Sequence, residues 1–446
     1  MTQIVILAGG LGSRLDSGKS EIPKALRKIN EATVLEWQIK AINNRKIEIL
    51  LLIGEEKNRE IFSVHADFLM QKYGNNIRLI CEKERSGTLG AIISAKEYLD
   101  KEFIVLLGDI LLDYPIDKIM SVFKKARKQA LVVVRETDHP EDSDVFQVDS
   151  SGKILNFSHY PHSKPLSEGI YLGLTGLYVF KKQFIRNITD NNFIDIWELF
   201  DAKYAKKSKI DLLFTYNRFK DIGTNKRLEE GYIFSKTLNF KSEYVWHIID
   251  RDDTLIADPL KTSSIKLKIN ESLVNELRLI EKNEKNSVFC ISTNQPAISK
   301  GWKTESEVQE ENERLIELLQ DSGLKISLVE YCPHHPEDGH KGELKSLKKS
   351  CFCRKPLPGA TIKMIKNLNY YPKKIIVYGD SHFDYFLAKN LSAEFRWRYF
   401  SHIHNSSRKK ALYMISKDIA RRESVRQALK FFLMNLIGTS LKRGRH

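Results

Sequence analysis

The chain has 446 residues, of which 42% are hydrophobic and 29% are charged, and its formal net charge is +15. This length allows two or three domains with separate cores. No stretch approaches the roughly 20 apolar residues that span a bilayer. The chain begins with a strand-like run, Gln3–Leu7, without a charged and then apolar leader, so we expect a cytoplasmic protein.

The positive charge suits nucleic acid or substrates that carry several phosphates. The sequence contains no nucleic-acid-binding motif and no alternation of aromatic and basic residues of the kind that stacks bases. We therefore predict anionic small molecules as partners, and no nucleic acid.

The first half of the chain alternates β-branched runs with amphipathic stretches, which predicts a mostly parallel α/β sheet. The predicted strands are Ile4–Leu7, Ile49–Ile53, Ile77–Cys81, Phe103–Leu107 and Ala130–Val134. The predicted helices between them include Val34–Asn43 and Leu89–Tyr98. A helical stretch at Ile194–Ala205 and a strand near Leu212–Arg218 follow, and a helix and connector at Thr224–Ser242 close the domain.

A second alternation of strands and helices begins at Trp246–Ile249, after a predicted boundary near residue 240. It continues with the strands Val288–Ser292, Lys325–Cys332 and Lys374–Gly379 and the charged helix Thr304–Ser322. This pattern predicts a second α/β domain. We expect a first domain at residues 1–240, a second at 241–404 and a basic helical tail at 405–446.

The tail contains an amphipathic segment, Ala428–Ile437, among arginines and lysines. Such a helix can lie on an anionic membrane surface or dock on its own domain or on a second subunit. We favour docking. Peripheral membrane contact and the oligomeric state stay open.

A glycine-rich loop, Leu7-Ala-Gly-Gly-Leu-Gly-Ser-Arg14, follows the first predicted strand, and Pro23-Lys24 comes soon after it. Glycine lets backbone N–H groups approach phosphate oxygens without a Cβ in the way. Arg14 can grip a phosphate with its planar fork, and Lys24 adds a compact charge. The glycine spacing differs from that of the dinucleotide fingerprint and of the Walker loop.

This string resembles the sugar-1-phosphate nucleotidyltransferase family over about residues 1–235, with further motifs at Glu84–Gly90, Leu107–Asp109 and Lys220–Thr224. The resemblance implies a Rossmann-like domain with a mixed, mostly parallel sheet that joins an NTP to a sugar phosphate. It implies catalytic roles for Arg14 and Lys24, and a Mg²⁺ site at Asp109 and Asp221. The substrate-binding residues that it implies are Gly9, Gly10, Gly12, Ser13, Gly87, Thr88, Glu168 and Gly176. Leu174, where many relatives have asparagine, leaves the sugar open.

The second predicted domain opens with His247-Ile-Ile-Asp-Arg-Asp-Asp-Thr254. A carboxylate at a strand end can attack phosphorus, and a second carboxylate two residues later can act as acid and base. The string resembles the first motif of haloacid-dehalogenase-type phosphatases, here called HAD-type, and the family's other motifs follow in order. This resemblance implies a HAD-like, Rossmann-type fold with a zinc loop.

Three further strings, Ser292–Gly301, Cys332–Pro336 and Cys351–Pro356, resemble the D-glycero-D-manno-heptose-1,7-bisphosphate phosphatase family over about residues 245–400. The resemblance implies that Asp250 is the nucleophile and Asp252 the general acid and base. Lys355 would neutralise the phosphate. The resemblance also implies a Mg²⁺ site formed by Asp250, Asp252 and Asp380, with Asp384 in support. It implies that Thr293, Asn294 and Arg354 bind the substrate.

Two residues depart from these families. Asp253 stands where glycine is usual, and Ser381 stands where the heptose enzymes often have lysine. Both departures leave open whether the second domain turns over substrate.

Three of the five cysteines lie close together in the sequence near a histidine. In a cytoplasmic protein this pattern predicts a metal rather than disulfides. Three thiolates and one imidazole suit a closed, structural zinc site, with the ligands Cys332, His334, Cys351 and Cys353. His335 is an alternative fourth ligand.

Together these motifs predict a bifunctional sugar-nucleotide enzyme. The second domain would convert heptose 1,7-bisphosphate to heptose 1-phosphate, and the first would couple that product to an NTP, releasing pyrophosphate and an NDP-heptose for lipopolysaccharide, capsule or S-layer glycan. Three alternatives stay open: another sugar or polyol phosphate, an inactive or regulatory phosphatase-like domain, and a membrane-associated assembly factor. The NTP base and the anomer also stay open.

Overall fold

The computed structural model describes residues 2–10, 22–42, 46–82, 86–114, 116–137, 139–186, 195–200, 209–238, 242–257, 267–398, 412–413 and 415–416. The chain divides into two compact units, with the main boundary between residues 241 and 242. The predicted tail, residues 405–446, lies outside the described residues except for 412–413 and 415–416. No helix in the described ranges is both long and apolar enough to cross a membrane.

The first unit contains most of the described strands. They are β1 (Gln3–Leu7), β2 (Lys28–Ile29), β3 (Ala32–Thr33), β4 (Glu48–Ile53), β5 (Asn76–Cys81), β6 (Glu102–Leu107), β7 (Ile110–Leu112), β8 (Ala130–Glu136), β9 (Val145–Val148), β10 (Ile154–Ser158), β11 (Ile170–Lys181), β12 (Ile210–Phe214) and β13 (Phe219–Asp221). Its described α-helices are α1 (Val34–Ile42), α2 (Arg59–Tyr73), α3 (Gly87–Ser94), α4 (Ile116–Ala126), α5 (Lys182–Arg186) and α6 (Asn225–Lys236).

A nine-stranded sheet organises this unit, with the order β10-β9-β11-β6-β1-β4-β5 and with β8 pairing both β11 and β12. Strand β1 runs parallel to β4 and β6, whereas β11 runs antiparallel to β6 and β8. All five residues of β1 are buried, as expected of a parallel strand that is covered on both faces. The strand order reverses at β1, so the loops after β1 and β6 meet where α/β sheets usually bind ligands.

The predicted mixed, mostly parallel α/β sheet is confirmed. The predicted strand near Leu212–Arg218 is wrong in its second half, because β12 ends at Phe214. The Asn217 side chain donates to the Asp113 carbonyl oxygen at 3.0 Å, and the chain turns there into β13. Of the predicted helix Ile194–Ala205, the structure describes a 3-10 helix at Ile196–Phe200.

The second unit is built on five parallel strands in the order β16-β15-β14-β17-β18. They are β14 (Tyr244–Ile249), β15 (Ser287–Asn294), β16 (Leu328–Cys332), β17 (Pro372–Gly379) and β18 (Glu394–Trp397). The helices are α7 (Glu271–Asn283), α8 (Pro296–Ser299), α9 (Glu305–Asp321), α10 (Gly359–Leu368) and α11 (His382–Asn390). The order reverses between β14 and β17, which places a ligand site at the carboxyl ends of these strands.

Local sequence explains where the long helix α9 begins. The Thr304 side chain accepts from the Glu307 N–H, and the Glu307 side chain accepts from the Thr304 N–H. This reciprocal cap satisfies two backbone donors that have no partner inside the helix.

Candidate functional sites

The loops after β1, β4 and β6 pack backbone against backbone. A Cβ on Gly9 would lie 2.9 Å from the backbone nitrogen of Gly54, and one on Gly108 would lie 2.5 Å from the Leu7 carbonyl oxygen. Any larger residue would push the loops apart, so glycine is required at both positions. Gly10 is exposed beside them.

Lys24 and Asp109 lie together at the same edge of the sheet. Lys24 Nζ is 3.2 Å from Asp109 Oδ2, and the two side chains keep 12% and 26% of their surface exposed. Lys24 opens a 3-10 helix directly after Pro23, and Asp109 lies in the turn between β6 and β7. Two residues 85 positions apart thus form one charge pair that a phosphate ligand could reach.

Asp221 ends β13 opposite Ile110 of β7, and the next residue, Ile222, donates its N–H to the Asp109 carbonyl oxygen at 3.0 Å. This register brings the backbones of the two predicted magnesium ligands side by side. The Asp221 carboxylate accepts from Arg227 Nη1 at 2.9 Å. Sequence reasoning missed this arginine, because no motif identifies it. Magnesium binding by Asp109 and Asp221 stays a prediction.

Gly87 and Thr88 open α3, where Gly87 adopts φ 71°. The N–H and the hydroxyl of Thr88 both donate to Asp195 Oδ1, at 3.0 and 2.9 Å. Thr88 therefore connects α3 to the 3-10 helix Ile196–Phe200, a contact that the sequence did not indicate. Its predicted contact with substrate stays a prediction.

The other predicted residues of this site are spread out. Gly176 adopts φ 81°, and a Cβ on it would lie 3.0 Å from Ile110, so backbone conformation and packing explain glycine here. Glu168 is exposed. Gly12, Ser13 and Arg14 lie outside the described residues.

The second unit gathers buried charges at the carboxyl end of β14. Lys355 Nζ donates to Asp250 Oδ1, to Asp384 Oδ1 at 2.7 Å and to the Ser292 carbonyl oxygen at 2.9 Å. The side chains of Asp250, Lys355 and Asp384 are 10%, 5% and 1% exposed. Burial disfavours the charge of Lys355, but the carboxylates of Asp250 and Asp384 outweigh this effect and raise its pKa. The lysine is therefore a permanent cation in this cluster.

Asp250, Asp380 and Asp384 form an acidic group whose ligand oxygens lie within 4.8 Å of one another. Burial and then the Asp384 carboxylate raise the pKa of Asp250 to about 7. Burial and then Asp250 raise the pKa of Asp380 well above its usual value. Three carboxyl groups thus lie together, and the Lys355 ammonium group contacts two of them, Asp250 and Asp384. Clustered oxygen donors of this kind fit a divalent cation such as Mg²⁺.

Asp384 reaches the cluster because two features hold α11 close to β17. Ser381 caps the helix through the Asp384 N–H, and the Asp384 carboxylate accepts from the Ser381 N–H at 3.2 Å. A Cβ on Gly379 would lie 2.3 Å from Asp384, so only glycine leaves room for this carboxylate. Ser381, one of the departures from the family pattern, thus acts as a helix cap.

The Asp252 carboxylate lies outside the acidic group and has its own partners. Its Oδ2 accepts from Gln295 Nε2 at 2.5 Å and from the Thr293 hydroxyl at 3.3 Å. Its Oδ1 lies 3.1 Å from Nε of Arg251, which is 1% exposed and also donates to Asn312 Oδ1 at 2.8 Å. Both oxygens are held, as a positioned acid and base requires. Metal binding by Asp252 stays a prediction, and sequence reasoning missed Arg251 and Gln295.

Asp253 adopts φ 59°, in the left-handed region that glycine favours and that aspartate and asparagine tolerate better than most residues. This conformation suits a turn position where the HAD-type motif that the string resembles usually has glycine. Asn294 links two motifs, because it accepts from the Lys355 N–H at 3.0 Å and donates to the Lys355 carbonyl oxygen at 3.1 Å. The side chain of Arg354 donates to the His334 carbonyl oxygen at 3.0 Å.

Cys332, His334, Cys351 and Cys353 converge with their ligand atoms within 4.8 Å of one another. The sulfurs lie 3.2 to 3.5 Å apart, and His334 Nδ1 lies 3.4 Å from Cys353 Sγ. Hydrogen bonds from Cys332 and Cys353 lower the pKa of Cys351, which favours a thiolate. Three sulfurs and one imidazole nitrogen this close fit a tetrahedral zinc. His335 Nδ1 instead accepts from the Glu337 N–H at 3.2 Å.

Comparisons with known proteins concern mainly the first unit. A family profile described as nucleotidyl transferase matches residues 3–236. Bifunctional protein GlmU from Methanococcus maripaludis is 30% identical over 280 residues, which cover 62% of this chain and 60% of that protein. D-glycero-alpha-D-manno-heptose 1-phosphate guanylyltransferase from Campylobacter jejuni is 26% identical over 221 residues, 50% of this chain and 94% of that protein.

Among solved structures, HddC from Yersinia pseudotuberculosis is 23% identical with a TM-score of 0.43, and the match covers 53% of this chain and 100% of that one. The chain spans about half the length of the GlmU proteins that it matches.

Proposed function

The chain belongs to the nucleotidyl transferase family, and from that premise we propose that it is a bifunctional enzyme of sugar-nucleotide synthesis. The second unit removes the 7-phosphate from D-glycero-D-manno-heptose 1,7-bisphosphate. The first unit then transfers a nucleotidyl group from an NTP to the heptose 1-phosphate. The observation that carries the coupling is the buried Asp250–Lys355–Asp384 cluster on the same chain as the nucleotidyl transferase match.

In the first unit, an oxygen of the sugar phosphate attacks the α-phosphorus of the NTP, and the bond to pyrophosphate breaks. The protein forms no covalent bond, so positioning and charge dominate. Lys24 and Arg14 stabilise charge on the transferred and leaving phosphates. Asp109 and Asp221 would hold Mg²⁺, the cation that would neutralise the phosphates and orient the attack.

In the second unit, an Asp250 oxygen attacks the 7-phosphorus while Asp252 gives its proton to the departing sugar oxygen. Asp252 then takes a proton from water, whose oxygen attacks the phosphorus and releases inorganic phosphate and free Asp250. Lys355 balances charge throughout. Asp250 and Asp380 would hold Mg²⁺ here, which supplies further neutralisation of the phosphate, and the zinc ligands would brace the loop that carries Arg354.

The test is release of phosphate and pyrophosphate by the purified full chain, with heptose 1,7-bisphosphate, Mg²⁺ and each of the four NTPs in turn. We expect inorganic phosphate without an NTP, and pyrophosphate with one NTP only. Pyrophosphate from heptose 1-phosphate without phosphate from the bisphosphate would contradict the phosphatase half. Release of neither phosphate nor pyrophosphate would contradict the assignment of a heptose phosphate as the substrate.

A further inference from the structure

Arg251 is a fully buried arginine between the two aspartates that carry the proposed phosphatase chemistry. It follows Asp250 and precedes Asp252 in the sequence, and its side chain is 1% exposed. A guanidinium group in the protein interior is unfavourable unless hydrogen bonds and opposite charges surround it. The partners of the Arg251 side chain therefore indicate its role.

Three groups surround the guanidinium, and each lies opposite a different nitrogen. Nε donates to Asp252 Oδ1 at 3.1 Å, Nη1 donates to Asn312 Oδ1 at 2.8 Å, and Nη2 lies 3.5 Å from Glu311 Oε2. Glu311 also pairs with Lys303. Two cations and two carboxylates thus balance in charge, and the planar fork of the arginine holds its acceptors in fixed directions.

The long helix α9 anchors Arg251 on the side away from Asp252. Asn312 lies on this helix and is 5% exposed. Leu315 and Leu319 of the same helix belong to one hydrophobic core with Ile249, the last residue of β14. Because α9 is fixed by this packing, the arginine connects a rigid helix to the carboxylate of the predicted acid and base.

The stability of the turn alone does not explain an arginine at this position. A buried ion pair adds little net stability compared with an apolar side chain of similar volume. The backbone of the turn is already held, because the Arg251 carbonyl oxygen accepts from the Leu255 and Ile256 N–H groups, both at 2.9 Å. The side chain adds a fixed direction for the Asp252 carboxylate, and proton transfer requires such a direction.

We propose that Arg251 is a positioning residue, which is anchored on α9 by Asn312 and holds Asp252 for both proton transfers of the phosphatase reaction. This inference rests on the proposed phosphatase function. In the first step, the bond from Asp250 to phosphorus forms, the bond from phosphorus to the sugar oxygen breaks, and Asp252 gives that oxygen a proton. In the second step, water attacks phosphorus, Asp250 is released, and Asp252 takes the proton of the water.

The two steps depend differently on Asp252 when the leaving group is changed. A p-nitrophenolate ion leaves without a proton, so phosphorylation of Asp250 by p-nitrophenyl phosphate needs no acid. Hydrolysis of the aspartyl-phosphate needs the base with any substrate. A misplaced Asp252 should therefore slow one step with p-nitrophenyl phosphate and both steps with a sugar phosphate.

The test measures the first turnover and the steady state of the purified full chain with Mg²⁺. With p-nitrophenyl phosphate, Arg251→Met should release about one equivalent of p-nitrophenolate in a burst, at a rate within about threefold of the unaltered chain. The steady-state rate after the burst should be about 100-fold lower. With heptose 1,7-bisphosphate, kcat should fall about 100-fold and KM should change less than about threefold. Arg251→Lys should restore only part of the rate, because an ammonium group lacks the fork.

Asn312→Leu removes the anchor and leaves Arg251 and both aspartates in place, so it tests the same role if Arg251→Met does not fold. We expect the same burst and a steady-state rate about tenfold lower. The matched control is Asn275→Leu. Asn275 is an exposed asparagine of the same unit whose Oδ1 also accepts from an arginine, Arg278, at 3.3 Å, and its substitution should change neither rate.

Equal slowing of the burst and of the steady state with p-nitrophenyl phosphate, or slowing of neither, would overturn the positioning role. If the unaltered chain does not hydrolyse p-nitrophenyl phosphate, the proposed phosphatase function is rejected, and this inference with it. Hydrolysis of p-nitrophenyl phosphate but not of the heptose bisphosphate would reject only the proposed substrate, because the burst would still decide the role of Arg251.

Discussion

The two candidate sites both bring lysine and aspartate together, but they differ in burial. Lys24 and Asp109 form one pair, 3.2 Å apart, that keeps contact with solvent. Lys355, Asp250 and Asp384 are nearly inaccessible, and Asp380 adds a third carboxylate. Exposed charges are screened and contribute little to stability, whereas buried charges interact strongly and tolerate no missing partner. The first site is therefore suited to large, exchangeable ligands, and the second to a small group held in a preorganised field.

The difference in burial between the two sites follows from the position of each site relative to its sheet. The second site is at the end of β14, the middle strand of a parallel sheet, where Asp250 follows a run of buried residues. The first site uses the turn after β6, which carries Asp109, and the 3-10 helix that begins at Lys24. Substitutions should therefore have all-or-none effects in the second site and graded effects in the first.

The largest effect should come from Asp250→Asn. An amide cannot form the aspartyl-phosphate, so phosphate release should fall at least 10³-fold. Pyrophosphate release from heptose 1-phosphate should stay within about twofold, and parallel assays of both products measure the difference. Asp253→Asn is the matched control, because asparagine also tolerates the left-handed conformation. Retention of phosphatase activity by Asp250→Asn would show that Asp250 is not the nucleophile.

Cys353→Ser tests whether Cys332, His334, Cys351 and Cys353 bind zinc and stabilise the second unit. Loss of one thiolate should release zinc and lower the free energy of unfolding of the second unit by about 3 kcal/mol or more, or roughly 6–12 °C in Tm. Metal analysis and calorimetry measure both changes. Cys81→Ser, in the first unit, should alter neither. If the unaltered chain contains no zinc, zinc binding by the three cysteines and His334 is excluded.

Lys24→Ala should have a graded effect on the first site. We expect kcat/KM for nucleotidyl transfer to fall about 100-fold, because one phosphate-binding charge is lost while the glycine loop and the carboxylates stay in place. Lys24→Arg should recover part of the rate, since the site is open enough for a longer cation. Lys28→Ala, at an exposed position nearby, is the control. Phosphate release should not change in Lys24→Ala, and its loss would show that the effect of Lys24 is not confined to nucleotidyl transfer.

The smallest expected effect is a dependence of the free energy of unfolding of the second unit on pH. His247 is buried, stacks on Phe289 at 4.6 Å, and has Nδ1 3.0 Å from the Tyr378 hydroxyl. Burial is the main cause that lowers its pKa to about 4. The unfolded chain gains this proton near pH 6.5, so the free energy of unfolding should decrease as pH falls from 6.5 to 4, by about 2 kcal/mol at pH 5.

Denaturant unfolding of the second unit at pH 7 and pH 5 measures this dependence. His247→Phe should reduce it by the same amount, because phenylalanine cannot take up the proton. An identical pH dependence in the variant would assign the effect to other groups.

Sequence alone was sufficient for features that depend on neighbours along the chain. The predicted strands Ile49–Ile53 and Phe103–Leu107 begin one residue inside the observed ones, because alternation and burial repeat over a few residues. The predicted helix Thr304–Ser322 likewise extends one residue beyond α9 at each end. The acidic string after Trp246–Ile249 also located the end of β14.

Only the tertiary structure decided which side chains meet. Asp384 joins Asp250 and Asp380, whereas the Asp252 carboxylate turns to Gln295, although all four aspartates lie in recognisable strings. Thr88 contacts Asp195, 107 residues away, and Gly301 packs closely against the Gly342 carbonyl oxygen. Such contacts depend on strand order, register and the space between packed loops, which periodicity and capping do not encode. Local residue patterns therefore predicted most of the elements and suggested the kinds of chemistry, and long-range packing determined the partners of each charged group.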